Sequence, residues 1–444
     1  MSSEWRLERL GDYCTKIGSG ATPRGGKDVY LEQGPIALIR SQNVYNDGFV
    51  SEGLVYINEV QSKKLDNVEL HQGDILLNIT GDSVARVCMV NRNYLPARVN
   101  QHVSIIRPNS SIFDARFVRY FLASPYQQEL MHSLASAGAT RNALTKGMIE
   151  DFEVPCPPIA EQQSIADILS ALDDRIALLR ETNATLESIA QAMFKSWFID
   201  FDPVKAKQQG EEPQGMDAGT AALFPDAFQD SELGPIPAGW EVLPLGELVQ
   251  SVGGGTPSTK EISYWEPAEF AWTTPKDLSA QESPVLLKTE RMISEKGVEK
   301  ISSGLLPKGT LLLSSRAPIG YLAIAGIPLC INQGYIAILP DSVLSPLYML
   351  FWCKNHMELI KNRSNGSTFM EINKKSFREI SAIKPPEVLL KCFTDLIAPV
   401  FDRIVENKHK IQTLALIRDT LLPRLISGRL RLPEAEAMVG EAGL

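Results

Sequence analysis

Apolar residues recur along this chain in two rhythms. Short β-branched runs bounded by Gly, Asn, Asp and Pro occupy 36–39, 73–78, 103–106, 309–313 and 335–338, and read as strands. Longer stretches at 113–133 and 344–361 carry aromatics on one side at helical spacing. Two further stretches follow Pro157-Pro158 and Pro385-Pro386, where proline suits the first turn of a helix. In the first, Ile165, Ile168, Leu172, Leu179, Leu186, Ile189 and Met193 fall on steps of three and four, with polar interruptions at Arg175 and Thr182. In the second, Phe393, Ile397, Val400, Ile404, Ile411, Leu414 and Leu421 do the same. Both are coiled-coil seams.

The two rhythms occur in the same order twice. Trp5-Arg-Leu-Glu-Arg-Leu10-Gly11 and Gly18-Ser19-Gly20-Ala-Thr22-Pro23 return as Trp240-Glu-Val-Leu-Pro-Leu245-Gly246 and Gly253-Gly-Gly255-Thr256-Pro257, with Ala21 as a single inserted residue. The match continues through Ala37 and Ala271, Gly73 and Gly309, Asn100-Gln101 and Asn332-Gln333, Gly138-Ala-Thr140 and Gly366-Ser367-Thr368, and Asp174-Arg-Ile176 and Asp402-Arg-Ile404. A repeat this long with two copies is a duplicated domain pair and not a solenoid.

The expected fold is α+β: two mixed α/β domains in tandem, each followed by a long helix, the helices pairing as an antiparallel coiled coil. Boundaries fall at 1–156 and 240–384 for the domains, 157–198 and 385–428 for the helices, 199–239 for an acidic Pro/Gly-rich linker, and 429–444 for a tail. A helix over 160–196 is on the order of 55 Å long. Two helices of equal length in one chain can cover each other's seams; the alternative is that they dimerise two chains.

Composition narrows the function. The 444 residues are 44% hydrophobic, enough for two to three cores. No basic apolar leader opens the sequence, and the apolar stretch 311–331 is broken by Ser314, Ser315, Arg316 and Pro318, so a cytoplasmic protein with no membrane span is expected. Net charge is -9, but 199–239 holds eight acids and two bases, leaving the rest near neutral and free to carry a local basic face. Six scattered cysteines lack a CxxC spacing and read as small apolar residues. The five histidines have no partner spacing, and no Walker loop, Gly-x-Ser-x-Gly elbow, His-Glu-x-x-His or Asn/Asp-Pro-Pro-aromatic tetrapeptide is present. No metal site, bound cofactor or catalysis by this chain is expected.

Three segments carry a family resemblance: Phe194-Lys-Ser-Trp-Phe-Ile-Asp-Phe-Asp-Pro203, Leu233-Gly-Pro-Ile-Pro-Ala-Gly-Trp240 and Leu421-Leu-Pro-Arg-Leu-Ile-Ser-Gly428. With the repeat, they make nearly the whole chain resemble the specificity subunit of type I restriction-modification systems. The resemblance implies a non-catalytic DNA-recognition subunit with two target-recognition domains, each reading half of a bipartite site in double-stranded DNA. It also implies that the two helices set the gap between the halves and dock two methyltransferase subunits, with restriction and motor subunits joining that core. S-adenosylmethionine, ATP and Mg would belong to those partners. A stand-alone DNA-binding regulator and a coiled-coil protein scaffold are the alternatives; tight DNA binding by the chain alone favours the first, and no DNA binding even with the methyltransferase favours the second.

Base readout needs paired donors and acceptors, and both copies place such residues beside strands. The loop 18–27 offers Ser19, Thr22, Arg24 and Lys27, and its glycines allow either close backbone approach to phosphate or an ordinary turn. Its second-copy counterpart offers Thr256 and Lys260. Arg40, Gln42 and Asn43 follow the strand at 36–39 and match a stretch containing Lys276; Arg316 follows the strand at 309–313. Thr140, Arg141, Asn142 and Lys146 match Ser367, Thr368, Lys374 and Lys375, with Lys146 and Lys374 aligned as candidate phosphate clamps. For each, the plain alternative is a solvated surface side chain. Asn100-Gln101 and Asn332-Gln333 are identical in both copies, which points to a structural task, and Trp5 and Trp240 read as core anchors. The frame repeats while the polar rim diverges, so an asymmetric target is expected.

Overall fold

A computed structural model describes residues 5–137, 142–279, 281, 283–316, 318–364 and 370–441. The chain divides into two compact units, Met1–Ala177 with Ile411–Leu444, and Leu178–Lys410.

In the first unit, β1 (Leu7–Arg9) pairs with β9 (Glu153–Pro155) and closes the domain on itself. A four-stranded antiparallel sheet runs in the order β2 (Cys14–Ser19), β8 (Val103–Pro108), β5 (Ile75–Asn78), β6 (Val87–Met89). Beside it, β3 (Ile36–Ile39) lies between β4 (Val55–Ile57) and β7 (Ala97–Val99), antiparallel to the first and parallel to the second. β3 and β5 are buried at every residue, which is why they read as unbroken apolar runs. The stretch expected as one helix over 113–133 is two, α1 (Ala115–Ala123) and α2 (Pro125–Ser136), because Pro125 restarts the helix at its first position. A short α3 (Lys146–Glu150) precedes β9.

α4 (Ile159–Phe198) begins in the first unit and ends in the second. The acidic stretch 199–239 is folded in place of the expected linker. It forms α5 (Asp202–Gln208), α6 (Ala218–Ala222) and a hairpin of β10 (Phe228–Gln229) with β11 (Ile236–Pro237). Val204, Phe224 and Ile236 are buried in one apolar cluster with Phe194, Trp197 and Trp240, and the Trp197 and Phe224 rings meet edge to face at 5.2 Å. Sparse apolar residues, set among acids, escape a composition reading yet anchor the segment.

The second unit repeats the frame. β12 (Glu241–Pro244) pairs with β21 (Ser381–Lys384), as β1 does with β9. β13 (Ser251–Val252), β20 (Tyr335–Ile338), β17 (Leu311–Ser314) and β18 (Leu322–Ala325) form the sheet, here with β15 (Val285–Leu286) added in parallel to β18. β14 (Phe270–Thr273) lies between β16 (Arg291–Ile293) and β19 (Cys330–Ile331). α7 (Pro346–Asn355), α8 (Met357–Asn362), α9 (Lys374–Arg378) and α10 (Glu387–Ile426) follow, and α11 (Leu432–Glu441) belongs to the first unit.

Strand register corrects the repeat alignment. Ile105 pairs with Gly18, and its counterpart Ala337 pairs with Val252, so Gly18 corresponds to Val252 and Ala21 to Gly255. The extra residue lies upstream. Lys16 pairs with Arg107 and Cys14 with Pro108, which leaves Thr15 unpaired in a β-bulge, its hydroxyl donating to the Arg107 carbonyl at 3.2 Å.

The two long helices run antiparallel in the second unit, where Asn183 bonds Asn407 and Phe194 packs on Phe393 at 5.9 Å. In the first unit they meet through Asp173 and Arg418 at 2.8 Å. The buried seam of α4 is Ile165, Leu169, Leu172, Ile176, Leu179, Asn183, Ala190 and Phe194. Arg175, Thr182 and Ile189 are off it, and Ile189 is 52% exposed. The seam keeps steps of four and three to polar Asn183, passes over half-buried Leu186 to the small Ala190, and then shifts by one residue to Phe194. Among the described residues no helix is long and apolar enough to cross a membrane. Cys88, Cys330 and Cys353 are buried, and burial pushes the Cys88 thiol up to about 12 and that of Cys330 up to about 11, which makes both poor nucleophiles.

Candidate nucleic-acid interface

In each copy the ends of several strands gather four or five loops into one rim. The loop after β2 is brought against the chain ahead of β8 so closely that a Cβ on Gly20 would lie 1.7 Å from the Val99 carbonyl oxygen. Gly254 meets Ile331 in the same way, at 1.9 Å. Only glycine permits this approach. The loop is then tied by a side chain: Thr22 Oγ1 donates to Gln101 Oε1, and Thr256 Oγ1 donates to Gln333 Oε1 at 2.6 Å. Asn100 Oδ1 accepts from the His102 amide at 3.0 Å, and Asn332 Oδ1 from the Gly334 amide at 2.8 Å. The repeated Asn-Gln pair thus has the structural role expected from its identity in both copies. Asn holds its own turn, and Gln holds the glycine loop.

Two more loops join the same rim. Thr80 bridges Ala143 and the Leu144 amide donates to the Ile79 carbonyl; Arg316 bridges Glu371 and the Ile372 amide donates to the Ser315 carbonyl. These contacts place the chain before α3 and α9 beside the chain after β5 and β17. Thr145 and Asn373 cap those short helices, so Lys146 and Lys374 sit at equivalent first positions. The Arg40 loop is linked in through Asn78 Nδ2, which donates to the Ser41 carbonyl at 2.8 Å.

The side chains on this common frame differ. In the first copy Gln101 Oε1 is taken by Thr22, so its amide nitrogen donates to His102 Nε2 at 2.9 Å. That assigns the His102 proton to Nδ1, which donates to Thr80 Oγ1 at 2.5 Å. Four residues are therefore linked in one chain of hydrogen bonds. The second copy has Gly334 in place of His102 and Arg316 in place of Thr80, and Arg316 lies 3.8 Å from Glu371.

The remaining candidates separate by what already holds them. Arg40 donates to the Gly53 carbonyl at 2.5 Å and lies over the Tyr30 ring at 5.3 Å, while exposed Gln42 shares that carbonyl at 3.1 Å. Asn43 is buried, and its amide bonds the Val50 carbonyl at 2.9 Å, so it belongs to the frame and has no face left for a base. Lys276 is exposed and paired with Glu290 at 2.9 Å; that bond raises its pKa. Lys146 pairs with Glu150 at 3.4 Å and Lys375 with Glu379 at 3.9 Å, both on solvated faces. Arg24, Lys27, Asn142, Lys260 and Lys374 are exposed, and Ser19 is half-buried on β2. Lys27 lies in a 3-10 turn, and no described contact links it or Lys260 to the rim. Thr140, Arg141, Ser367 and Thr368 lie outside the described residues. Sequence reasoning missed Thr80, His102 and Glu371 as rim residues. The usable signal was the shared Thr and Gln, far apart in sequence but identical in both copies.

Among the described residues no cluster of His, Cys, Asp or Glu could hold a metal ion. A frame used twice with unlike rims defines a tandem recognition protein. The chain belongs to the type I restriction modification DNA specificity family, whose domain matches residues 2–188 and again 237–387. Its function is accordingly DNA sequence recognition as a specificity subunit of such a system. It is 26% identical over 96% of its length to the whole of the type I restriction enzyme HindI specificity subunit of Haemophilus influenzae. It is 44% identical over 41% of its length to 42% of the MjaIX specificity subunit of Methanocaldococcus jannaschii. The fold resembles the crystal structure of a type I S subunit from M. genitalium, with TM-score 0.57 at 18% identity over 95% of this chain and 96% of that one.

Proposed function

We propose that this chain reads an asymmetric bipartite site in double-stranded DNA, one half with each rim, and docks two methyltransferase subunits on α4 and α10. Restriction and motor subunits join that core in the cytoplasm. The observation that carries the reading is the pair of rims: Thr22 with Gln101 and Thr256 with Gln333 hold the same loop, while Thr80 and His102 give way to Arg316 and Gly334. A shared frame gives both halves one mode of approach, and unlike side chains give them different base preferences. The chain itself performs no chemistry; S-adenosylmethionine, ATP and Mg are used by the partner subunits. Lys146 and Lys374, at matched places in both copies, contact phosphate irrespective of sequence.

The test is to express the chain with the methyltransferase of its system and map methylated positions across genomic DNA by single-molecule sequencing. A split motif with two unlike halves is the expected result. Methylation at a short continuous palindrome would overturn the reading.

A further inference from the structure

We propose that Arg316 is the residue that selects a guanine in the second half-site, with Glu371 as its positioning residue, and that the first half-site lacks a guanine contact at the corresponding point. The inference rests on the DNA-reading function proposed above and adds a residue and a base to it.

Arg316 occupies a place that can be compared with its own counterpart. Asn78 and Ser314 close equivalent ladders, opposite Val103 and Tyr335, so Thr80 and Arg316 stand two residues beyond the same strand end. Both bridge the chain that leads to the capped helix carrying Lys146 or Lys374. The backbone therefore presents the two side chains alike. In the first copy Thr80 Oγ1 accepts from His102 Nδ1, and the other ring nitrogen accepts from Gln101. In the second copy the histidine is replaced by Gly334, which has no side chain to occupy that space.

Arg316 makes no described hydrogen bond through its guanidinium. Its ion pair with Glu371 is 3.8 Å long, beyond hydrogen-bonding distance, and the two side chains are 36% and 43% exposed. The carboxylate thus biases where the cation sits without using its donors. A planar fork with free donors, restrained at the edge of a rim, matches the O6 and N7 acceptors of guanine in the major groove, and lysine, a point charge on a flexible stem, keeps the charge but loses the fork geometry.

The experiment uses the full chain with its methyltransferase, comparing wild type, Arg316→Thr and Arg316→Lys by the same methylation mapping, with thermal melting as a control. The threonine is the residue that the first copy carries at this place. One guanine in one half of the motif is expected to become degenerate in both variants, by about tenfold or more in discrimination, with the other half unchanged. An unchanged motif overturns the proposal. So does rescue of the wild-type motif by lysine together with a uniform fall in methylation for threonine, which identifies a phosphate contact. If Arg316→Thr does not fold, the lysine variant alone decides, because only base readout relaxes the motif with charge retained. Failure of the DNA-reading function itself appears in the wild type, as the absence of a split motif.

Discussion

Gly20 and Gly254 show how little room the two loop rims leave. Adding a single carbon at either place drives it into a carbonyl oxygen, with no flexible side chain to yield. Gly20→Ala and Gly254→Ala should each cost about 1–3 kcal/mol by overpacking, seen as a lower melting temperature, and should detach the loop that Thr22 or Thr256 holds. Neutral behaviour of both variants would show that the loop can relax. Tyr120 gives a second residue-level expectation. Burial raises its pKa, and the Asp173 charge adds to this while Arg119 opposes it, so the folded form keeps the phenol protonated and donating to Asp173 at 2.7 Å. Its stabilising contribution is complete below the ordinary tyrosine value near 10 and is lost as pH climbs from there through the folded value. Melting in an alkaline pH series should fall above pH ~10, and Tyr120→Phe should make that fall shallower by about one proton. Tyr335 and Tyr348, also raised by burial, keep part of the slope.

At the scale of elements, α4 and α10 carry the sharpest contrast between what the sequence makes legible and what it hides. The fully buried strands Ile36–Ile39 and Tyr335–Ile338 are visible at their true bounds, because burial on both faces leaves an unmistakable apolar run. The long helices are visible too, but their seam is not: a hydrophobic scan steps over Asn183 and Asn407, and in the first helix it lands on Thr182 and Ile189 beside the buried Asn183 and Ala190. The rim is harder still. Its organising bonds join Thr22 to Gln101 and Thr80 to His102, and nothing local to either partner announces them. Only the repeat does, by keeping some of these residues and changing others. The Asn pair has its own energetic signature. Asn407 Nδ2 donates to Asn183 Oδ1 at 2.8 Å, and Asn407 Oδ1 has no partner among the described residues. Asn183→Leu alone should cost about 1–3 kcal/mol by stranding the second amide, while the double change to leucine should recover most of that loss or exceed wild type. A double-mutant cycle by chemical denaturation measures it, and additive single changes would show that the two side chains act independently.

For the whole molecule, the duplication permits unlike chemistry at like joints. In the first unit the recognition domain is fastened to the helices by Tyr120, Arg119 and Arg418 converging on Asp173. The corresponding place in the second unit holds Phe351 against Phe401, rings 6.0 Å apart and nearly perpendicular, with Ala190 where Arg418 has its counterpart. One joint is ionic and the other aromatic. If the helices set the gap between half-sites, inserting one heptad at matched points in α4 and α10 keeps the seam in phase and adds about 10.5 Å. The methylated motif should then lengthen its spacer by about three base pairs, at 3.4 Å each. A spacer of unchanged length in a folded, active insertion variant would separate the helices from that role.

The polar positions of the seam have a consequence for kinship between chains. By repeat, Asn183 corresponds to Ile411, Asn407 to Leu179, Asp173 to Phe401 and Arg418 to Ala190. Two copies of the first helix laid together in the native register would face Asn183 with leucine and Asp173 with alanine. Two copies of the second would face Asn407 with isoleucine and Arg418 with phenylalanine. Only the first helix against the second gives every one of these groups a mate, so four side chains let each helix tell its true counterpart from its own double.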